Sequence, residues 1–310
     1  MSWTELSRLV SCYEESPGPF CLATLVQVVG SSYRQRGARL LIAREGRMAG
    51  SLSAGCLEEE VAAQAPAVLQ DNQRQLLIFD LRSRFGCDGF IHVAVEPLHK
   101  PAKFLEALCA SRSHRRSFLA VVRNIDDSAN LGPTEVWHEP TELGTGDFGQ
   151  TLNPPIRLEI VGGQTDVRPL VQLAGYLSWD VHVREGAAEI PLGDPQSACI
   201  VMSHQFGVDL SAVRSACELG YPYVGLVGGR RRRERIFHAL LEAGTCELAE
   251  LARIHGPAGL DLGAETPEEI ALAIAAEAQA VLAGREGGAL RNRSLPIHGP
   301  HALPRWHALP

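Results

Sequence analysis

The strongest constraint on the fold is a regular alternation of apolar runs and amphipathic segments after residue 157. The apolar runs are short and strand-like, and the segments between them carry apolar residues at helical spacing. The predicted strands are 158–161, 179–183, 198–202 and 223–227, and the predicted helices are 167–177, 210–218, 232–243 and 267–283. Alternating strands and helices form a parallel sheet covered on both faces. We therefore predict a Rossmann-like domain over residues 156–284.

The first part of the chain has a different pattern, in which strand-like runs often follow one another directly. It predicts an N-terminal mixed α/β domain over residues 1–123. Residues 124–155 are rich in Gly, Pro, Thr, Asp and Glu, and they predict a loop-rich linker. The tail over 285–310 is rich in Gly, Arg, Pro and His and is predicted to be disordered. The expected fold class is α/β, with the mixed domain preceding the parallel-sheet domain.

Length, charge and cysteine usage bound the class of protein. A chain of 310 residues suggests two domains, and a net charge of −7 argues against binding to nucleic acid through bulk charge. No signal peptide and no uninterrupted apolar run of membrane-spanning length are visible, so we expect a cytoplasmic protein. The eight cysteines form no CxxC pair, and most of them read as small core residues.

A glycine turn after the first strand of the parallel sheet suggests a dinucleotide site. Gly162 and Gly163 follow that strand, and Glu185 lies about twenty residues later, as in a Rossmann arrangement. Gln164 and Val167 stand where the later glycines belong, so the pair of glycines can equally be a simple turn. NAD(P) binding therefore stays open.

Three polar, glycine-rich loops interrupt the apolar pattern of the first hundred residues, at 30–39, 50–58 and 84–89. Their hydroxyl, guanidinium and backbone N–H groups suit a phosphate. The candidate anion-binding side chains are Ser31, Ser32, Arg34, Arg39, Ser51 and Ser53. Because all three loops adjoin strands of the same predicted sheet, we expect them to converge at one end of it.

Two cysteines in these loops differ from the core thiols. Cys56 follows Gly55 at a predicted helix N-terminus, a position that lowers a thiol pKa and favours a metal or sulfur contact. Cys87 lies between Gly86 and Asp88 in a polar loop. Ordinary tight turns with packed thiols are the alternative interpretation.

At these residues the chain resembles the XdhC/CoxI family, the accessory factors of xanthine dehydrogenase and carbon monoxide dehydrogenase maturation. In the first half, the three loops carry the resemblance. In the second half it is carried by Met202-Ser203-His204 with Asp209, by Tyr223 to Arg232, and by residues 251–271. Arg230 can contact a phosphate or a partner, and a solvated helix start is the alternative interpretation. Two departures are Gln164 within the family's Gly-Ala-Gly turn and Asp88 beside Cys87.

The resemblance implies an accessory factor rather than an enzyme. It implies that the chain binds molybdenum cofactor (molybdopterin) and hands it to an apo molybdenum hydroxylase of the xanthine dehydrogenase type. A cysteine desulfurase would first supply the terminal sulfur. Glu58 lies in the matched second loop, so it joins the candidate cofactor-binding residues, with Cys56 and Cys87 as the candidate metal contacts.

Several alternatives remain at the sequence level. His204 follows a predicted buried strand at the edge where α/β sheets bind ligands, and Asp209 could fix its tautomer, but an ordinary turn histidine fits as well. An NAD(P)-dependent oxidoreductase and a scaffold that only docks the hydroxylase are the competing functions. A homodimer is expected because symmetric dimers are the commonest oligomers.

Overall fold

The structure is a computed structural model, and it describes residues 1–53, 55, 57–82, 89–139, 141–163, 165–244 and 251–294. The chain forms two compact units. The first unit comprises residues 1–154, and the second comprises residues 155–294. Among these residues, no helix has the length and apolar character needed to cross a membrane.

The first unit contains a five-stranded antiparallel sheet. Its strands are β1 (Phe20–Gly30), β2 (Arg39–Ala43), β3 (Met48–Gly50), β4 (Gln75–Asp80) and β5 (Gly89–Leu98), and their order is β3-β2-β1-β5-β4. Helices α1 (Trp3–Glu15) and α3 (Lys103–His114) cover one face, and α2 (Glu58–Asp71) covers the other. Because both faces are covered, every residue of β2 is buried. The apolar run from Leu40 to Ala43 follows from this burial.

A second, smaller sheet corrects the prediction of a loop-rich linker. Strands β6 (Phe118–Val122), β7 (Thr134–Trp137) and β8 (Phe148–Leu152) form an antiparallel sheet in the order β7-β6-β8. Two of these strands lie within 124–155. Their inward positions include Thr134 and Gln150, which are buried polar residues, so the alternation of apolar side chains that marks a strand is lost.

The second unit is a parallel sheet, as predicted. Its strands are β9 (Arg157–Val161), β10 (Asp180–Arg184), β11 (Ser197–Val201), β12 (Tyr223–Leu226) and β13 (Ile254–His255), in the order β10-β9-β11-β12-β13. Helices α4 (Arg168–Tyr176) and α7 (Pro267–Leu282) pack on one face, and α5 (Phe206–Glu218) and α6 (Arg230–Glu242) pack on the other. The predicted Rossmann-like architecture is confirmed.

Helix ends in this unit follow local chemistry. The side chain of Thr266 accepts a hydrogen bond from the Glu269 N–H, the Glu269 side chain accepts one from the Thr266 N–H, and Pro267 occupies the first turn, so these residues form a capping box. Helix α5 begins at Phe206, four residues before its predicted start. In the tail, residues 290–292 form a 3₁₀ turn, and residues 295–310 lie outside the described residues.

Candidate functional site

The strand register brings the polar loops of the first unit to one end of its sheet. Gly30 at the end of β1 pairs with Gly89 at the start of β5, and Gly50 at the end of β3 pairs with Leu40 near the start of β2. The loops therefore leave the sheet from neighbouring strand ends, as predicted. Residues 83–88 of the third loop, including Cys87, lie outside the described residues.

Glu58 organises the second loop from within. Its Oε1 accepts hydrogen bonds from the Leu52 and Ser53 backbone N–H groups at 2.9 Å each and from the Ser51 hydroxyl at 2.8 Å. Its Oε2 accepts one from the Ser53 hydroxyl at 2.6 Å and one from the Leu57 N–H at 3.2 Å. The loop thus wraps around a carboxylate at the start of α2.

These contacts settle the charge of Glu58. Burial alone would raise its pKa, but the hydrogen bonds from the Ser53 hydroxyl, the Ser53 N–H and the Ser51 hydroxyl together outweigh burial and lower the pKa to about 2. The serine and backbone donors that were predicted to hold a phosphate are directed at the Glu58 carboxylate instead. Ser51 and Ser53 therefore shape the loop.

Arg39 was predicted to pair with a phosphate, and the structure corrects this. Its side chain is completely buried, its guanidinium lies 4.7 Å from the centre of the Phe104 ring, and Nη1 donates to the Gly37 carbonyl and to Gln150. Burial lowers the pKa of Arg39 to about 10. Gly37 has a φ of +91°, and a Cβ there would lie 2.3 Å from the Gln150 side chain, so glycine is required. The Gly-Ala-Arg sequence of the first loop is a structural feature.

Other members of the predicted anion-binding set occupy mixed environments. Arg34 forms an ion pair with Glu5 of α1, with about a quarter of its side chain exposed. Ser31 is exposed and Ser32 is half-buried, and both lie just beyond the end of β1. Of the six predicted anion-binding side chains, Ser31 is therefore the most exposed to solvent.

The described cysteines are core thiols, as predicted for most of them. Cys12, Cys21, Cys199 and Cys217 are buried, and Cys109 is partly buried. Burial raises the pKa of Cys21 to about 12 and also raises the pKa of Cys109. Cys56 lies outside the described residues, two positions before the observed start of α2. No group of three potential metal ligands occurs among the residues that the structure describes.

The second candidate site is the carboxyl end of the parallel sheet. The order β10-β9-β11 makes the chain switch direction between β9 and β11, and α/β sheets bind ligands in the crevice at such a point. Gly162 lies at this crevice, where a Cβ would come within 2.8 Å of the Met202 carbonyl oxygen. Gly163 is exposed, with open space beside it, and Gln164 is outside the described residues. The glycine turn therefore has a steric reason in the strand packing.

A histidine–aspartate pair spans this crevice. His204 Nε2 lies 2.7 Å from Asp166 Oδ2, and His204 has a φ of +61°, which is unusual for a residue with a side chain. The expectation that Asp209 fixes the His204 tautomer is wrong. Asp209 is completely buried and accepts hydrogen bonds from the N–H and hydroxyl of Ser203 and from Arg232.

The remaining predicted residues lie at the same end of the sheet. Glu185 directly follows β10, and Arg230 is the first residue of α6; both are exposed. Sequence reasoning missed the roles of Asp166 and Arg232. Arg232 lies in a four-arginine run at the start of a helix, and nothing in the sequence distinguishes it from its neighbours.

The most distinctive sequence match, residues 251–271, belongs to a structural network. Glu277 of α7 accepts hydrogen bonds from the Tyr223 hydroxyl at 2.6 Å and the Gly259 N–H at 2.7 Å, and it lies 3.1 Å from His255 Nδ1. The His255 ring stacks on Tyr223 with a centroid separation of 4.6 Å. The segment is thereby fixed between β12 and the last helix.

Comparison with protein families decides the relationship. Residues 158–278 match the XdhC Rossmann domain, and residues 14–80 match the XdhC and CoxI family. Together these matches cover more than half of the chain. The chain belongs to the XdhC and CoxI family.

Individual proteins agree with this assignment. The chain is 28% identical to a protein of Bacillus subtilis (strain 168) named as a probable xanthine dehydrogenase subunit, over 88% of this chain and 95% of that protein. It is 25% identical to the molybdenum cofactor insertion chaperone PaoD of Escherichia coli (strain K12), over 84% of this chain and 82% of that protein. A crystal structure described as a xanthine dehydrogenase from Bacillus halodurans shares the fold, with a TM-score of 0.73 and 23% identity over 92% of this chain and 97% of that one.

Proposed function

We propose that this chain is an accessory factor that binds molybdenum cofactor and delivers it to an apo molybdenum hydroxylase of the xanthine dehydrogenase type. Membership of the XdhC and CoxI family supports this role, as does similarity to a protein named a molybdenum cofactor insertion chaperone. The observation that carries the proposal is the convergence of polar loops at one end of the first sheet.

The cargo has a phosphate and a metal with soft sulfur ligands, and the loops offer groups for each. Ser31 and Ser32 can donate hydrogen bonds to the phosphate, and Gly55 has open space beside its backbone. Cys56 and Cys87 supply thiols, the ligand type that a soft metal–sulfur centre prefers. Glu58, Ser51 and Ser53 hold the second loop in place. A cysteine desulfurase would supply the terminal sulfur before delivery.

The test is retention of the cofactor by cysteine variants. The chain is produced in cells that make molybdenum cofactor, and bound pterin and molybdenum are measured for the wild type and for Cys56→Ala and Cys87→Ala. Cys109→Ala is the matched control because its thiol packs against the core of α1 and α3. Retention should fall in at least one loop variant and stay at the wild-type level in the control. Equal retention in all four proteins would refute the thiol role.

One observation favours a second candidate function, an NAD(P)-dependent oxidoreductase. The switch point between β9 and β11 carries the Gly162 turn, and Glu185 follows the neighbouring strand β10. The His204–Asp166 pair crosses this same crevice. Titration of NADH and NADPH by isothermal calorimetry, with Glu185→Ala as the comparison, separates the two functions. Micromolar binding that Glu185→Ala weakens would support the oxidoreductase.

A further inference from the structure

Helix α6 begins with a concentrated run of positive charge. Arginines occupy positions 230–233 and 235, whereas the net charge of the whole chain is −7. The first turn of α6 contains no acidic residue. The helix dipole already places positive charge at this end, so cations there oppose helix formation. Helix stability therefore does not explain the run of arginines.

Two arginines of the run hold α6 against its neighbours. Arg232 Nε donates to Asp209 of α5 at 2.8 Å, and Asp209 is completely buried. The Arg233 side chain packs over Gly256, and its guanidinium lies 4.6 Å from the centre of the Phe237 ring. Both arginines are half-buried, so they belong to the packing of the second unit.

The other three arginines share the exposed side of α6. Arg230, Arg231 and Arg235 are exposed. Arg231 and Arg235 are four residues apart, so they are neighbours along the helix surface, and Arg230 lies at the edge of the same exposed side. Two like charges at this spacing destabilise a helix. An anionic group that contacts both guanidinium groups would remove this repulsion.

An aromatic ring positions one of these side chains. The Arg235 guanidinium lies 4.5 Å from the centre of the ring of Phe206, the first residue of α5. An arginine held over a ring in this way loses less conformational freedom when it pairs with an anion. Its N–H groups can donate two parallel hydrogen bonds to a carboxylate. Arg235 is thus arranged in advance for a carboxylate of another molecule.

The acidic residues of α5 and α6 do not neutralise this surface. Three of the four are paired elsewhere, with Arg232, Arg214 and His238. The fourth, Glu234, lies one turn after Arg230. Three exposed arginines therefore share a single acidic residue within the two helices, and the surface is positive.

We infer that the exposed side of α6 with Arg230, Arg231 and Arg235, the α6 arginine surface, docks an acidic segment of the recipient apo-hydroxylase. The inference rests on the proposed function, which requires a protein recipient. Small molecules bind in concave pockets, whereas the side of a helix is convex, so this surface fits a macromolecule. Complementary charge steers the encounter of two proteins and fixes their orientation.

Other occupants fit the α6 arginine surface less well. Two copies of this chain paired through α6 would bring their exposed arginines together, and like charges repel. A nucleic acid would meet a chain with a net charge of −7, in which this surface is a small positive area. A protein segment rich in carboxylates matches both the sign and the extent of the surface.

Charge reversal separates docking from folding. Arg231→Glu leaves the contact between Arg235 and Phe206 intact, and the double variant Arg231→Glu/Arg235→Glu reverses both neighbouring charges. A glutamate near the start of a helix interacts favourably with the helix dipole, so Arg231→Glu should melt no lower than the wild type. The matched control is Arg168→Glu, the same charge change at the exposed first position of α4.

The measurement is binding by biolayer interferometry of the apo-hydroxylase of the same organism, purified from cells that cannot make molybdenum cofactor. At about 50 mM salt, the Kd should rise at least about threefold for Arg231→Glu and at least about tenfold for the double variant. The control should bind like the wild type. At about 500 mM salt these differences should shrink, because salt screens exposed charges.

Circular dichroism melting checks that each variant is folded, and Arg231→Glu decides alone if the double variant unfolds. Four outcomes would overturn the inference: failure of the wild type to bind the apo-hydroxylase, wild-type affinity in the folded variants, equal weakening in the control, or differences that salt does not reduce. Wild-type binding of a short DNA duplex that Arg231→Glu abolishes, with docking unchanged, would identify a nucleic-acid surface instead.

Cofactor retention is measured on the same proteins and should not change in the α6 variants. Lost retention with unchanged docking would show that these arginines hold the cargo, which also overturns the inference. A wild type that docks through α6 but retains no cofactor would contradict the proposed function and leave the docking surface intact.

Discussion

Each unit holds a loop at one end of its main sheet with a buried carboxylate, but the hydrogen-bond donors to the two carboxylates come from different places. Glu58 is satisfied by backbone and hydroxyl donors within eight residues of its own loop. Asp209 is satisfied by Ser203 in the loop after β11 and by Arg232 from the start of α6. The Glu58 loop is therefore a self-contained unit, whereas the loop after β11 depends on a charged partner from another helix.

Because Asp209 depends on that charged partner, it should be the more costly carboxylate to remove. Asp209→Asn leaves Arg232 without its counter-charge at a site where Asp209 is completely buried, and breaking such a pair costs about 3 kcal/mol. We expect that loss in the free energy of opening of β11, measured by hydrogen exchange in increasing urea. Glu218→Gln, in an exposed pair with Arg214, should change it little. Equal losses in both variants would remove the contrast.

Glu58→Gln should have the next largest effect, and a distinctive pH dependence. At pH 7 the variant should lose about 2 kcal/mol, because an amide cannot accept all the hydrogen bonds that the carboxylate accepts. The folded pKa of about 2 lies below the ordinary value of 4.5, so this stabilisation is present above pH 4.5. It is lost as the pH falls toward 2.

The pH dependence is checked by calorimetric melting of the wild type and Glu58→Gln between pH 7 and pH 2.5. The two melting temperatures should approach each other below pH 4.5. Glu59→Gln, at the exposed neighbouring position, is the control and should follow the wild type. A difference that stays constant with pH would mean that the Glu58 charge does not hold the loop.

A third carboxylate sharpens the comparison. Glu277 accepts one bond from the Tyr223 hydroxyl, so Tyr223→Phe should cost about 1 kcal/mol, less than either change above. Tyr176→Phe is the matched control, since Tyr176 is 82% exposed. Urea denaturation curves of the two variants provide the measurement. A larger loss in the control would show that the network does not stabilise the second unit.

The smallest effect is expected at His204, where two terms oppose each other. Removal of the side chain loses a partly exposed pair with Asp166, worth at most about 1 kcal/mol. Glycine also relieves the positive φ, which costs a residue with a side chain about 1 kcal/mol. The free energy of unfolding of His204→Gly should therefore lie within about 0.5 kcal/mol of the wild-type value. His204→Ala should be less stable than His204→Gly. The reverse order would show that backbone strain at residue 204 is negligible.

The fold could be predicted where the buried strands are apolar. Strand β11 is apolar from Ala198 to Val201 because helices cover both faces of its sheet, and this pattern is visible in the sequence. Strands β7 and β8 could not be predicted because their inward residues Thr134 and Gln150 are polar. Their partners, Glu96 and Arg39, are distant along the chain.

The same reason limits prediction of the site. The convergence of the loops could be predicted, because it depends only on which strands they join. The role of each side chain could not be, because an arginine in a glycine-rich loop looks the same whether it faces solvent or, like Arg39, stacks on Phe104 in the core. Likewise, the second loop has the serines and backbone N–H groups of an anion site, but the anion they bind is the carboxylate of Glu58.

The small antiparallel sheet has a consequence for synthesis on the ribosome. Arg39 and Glu96 belong to the first sheet, yet their hydrogen-bond partners Gln150 and Thr134 are translated later. Burial raises the pKa of Glu96 and lowers that of Arg39, so each charge would destabilise the core without these partners. The first sheet therefore lacks these partners until β8 has been translated, and a chain that ends at residue 123 should be less stable than one that ends at residue 154.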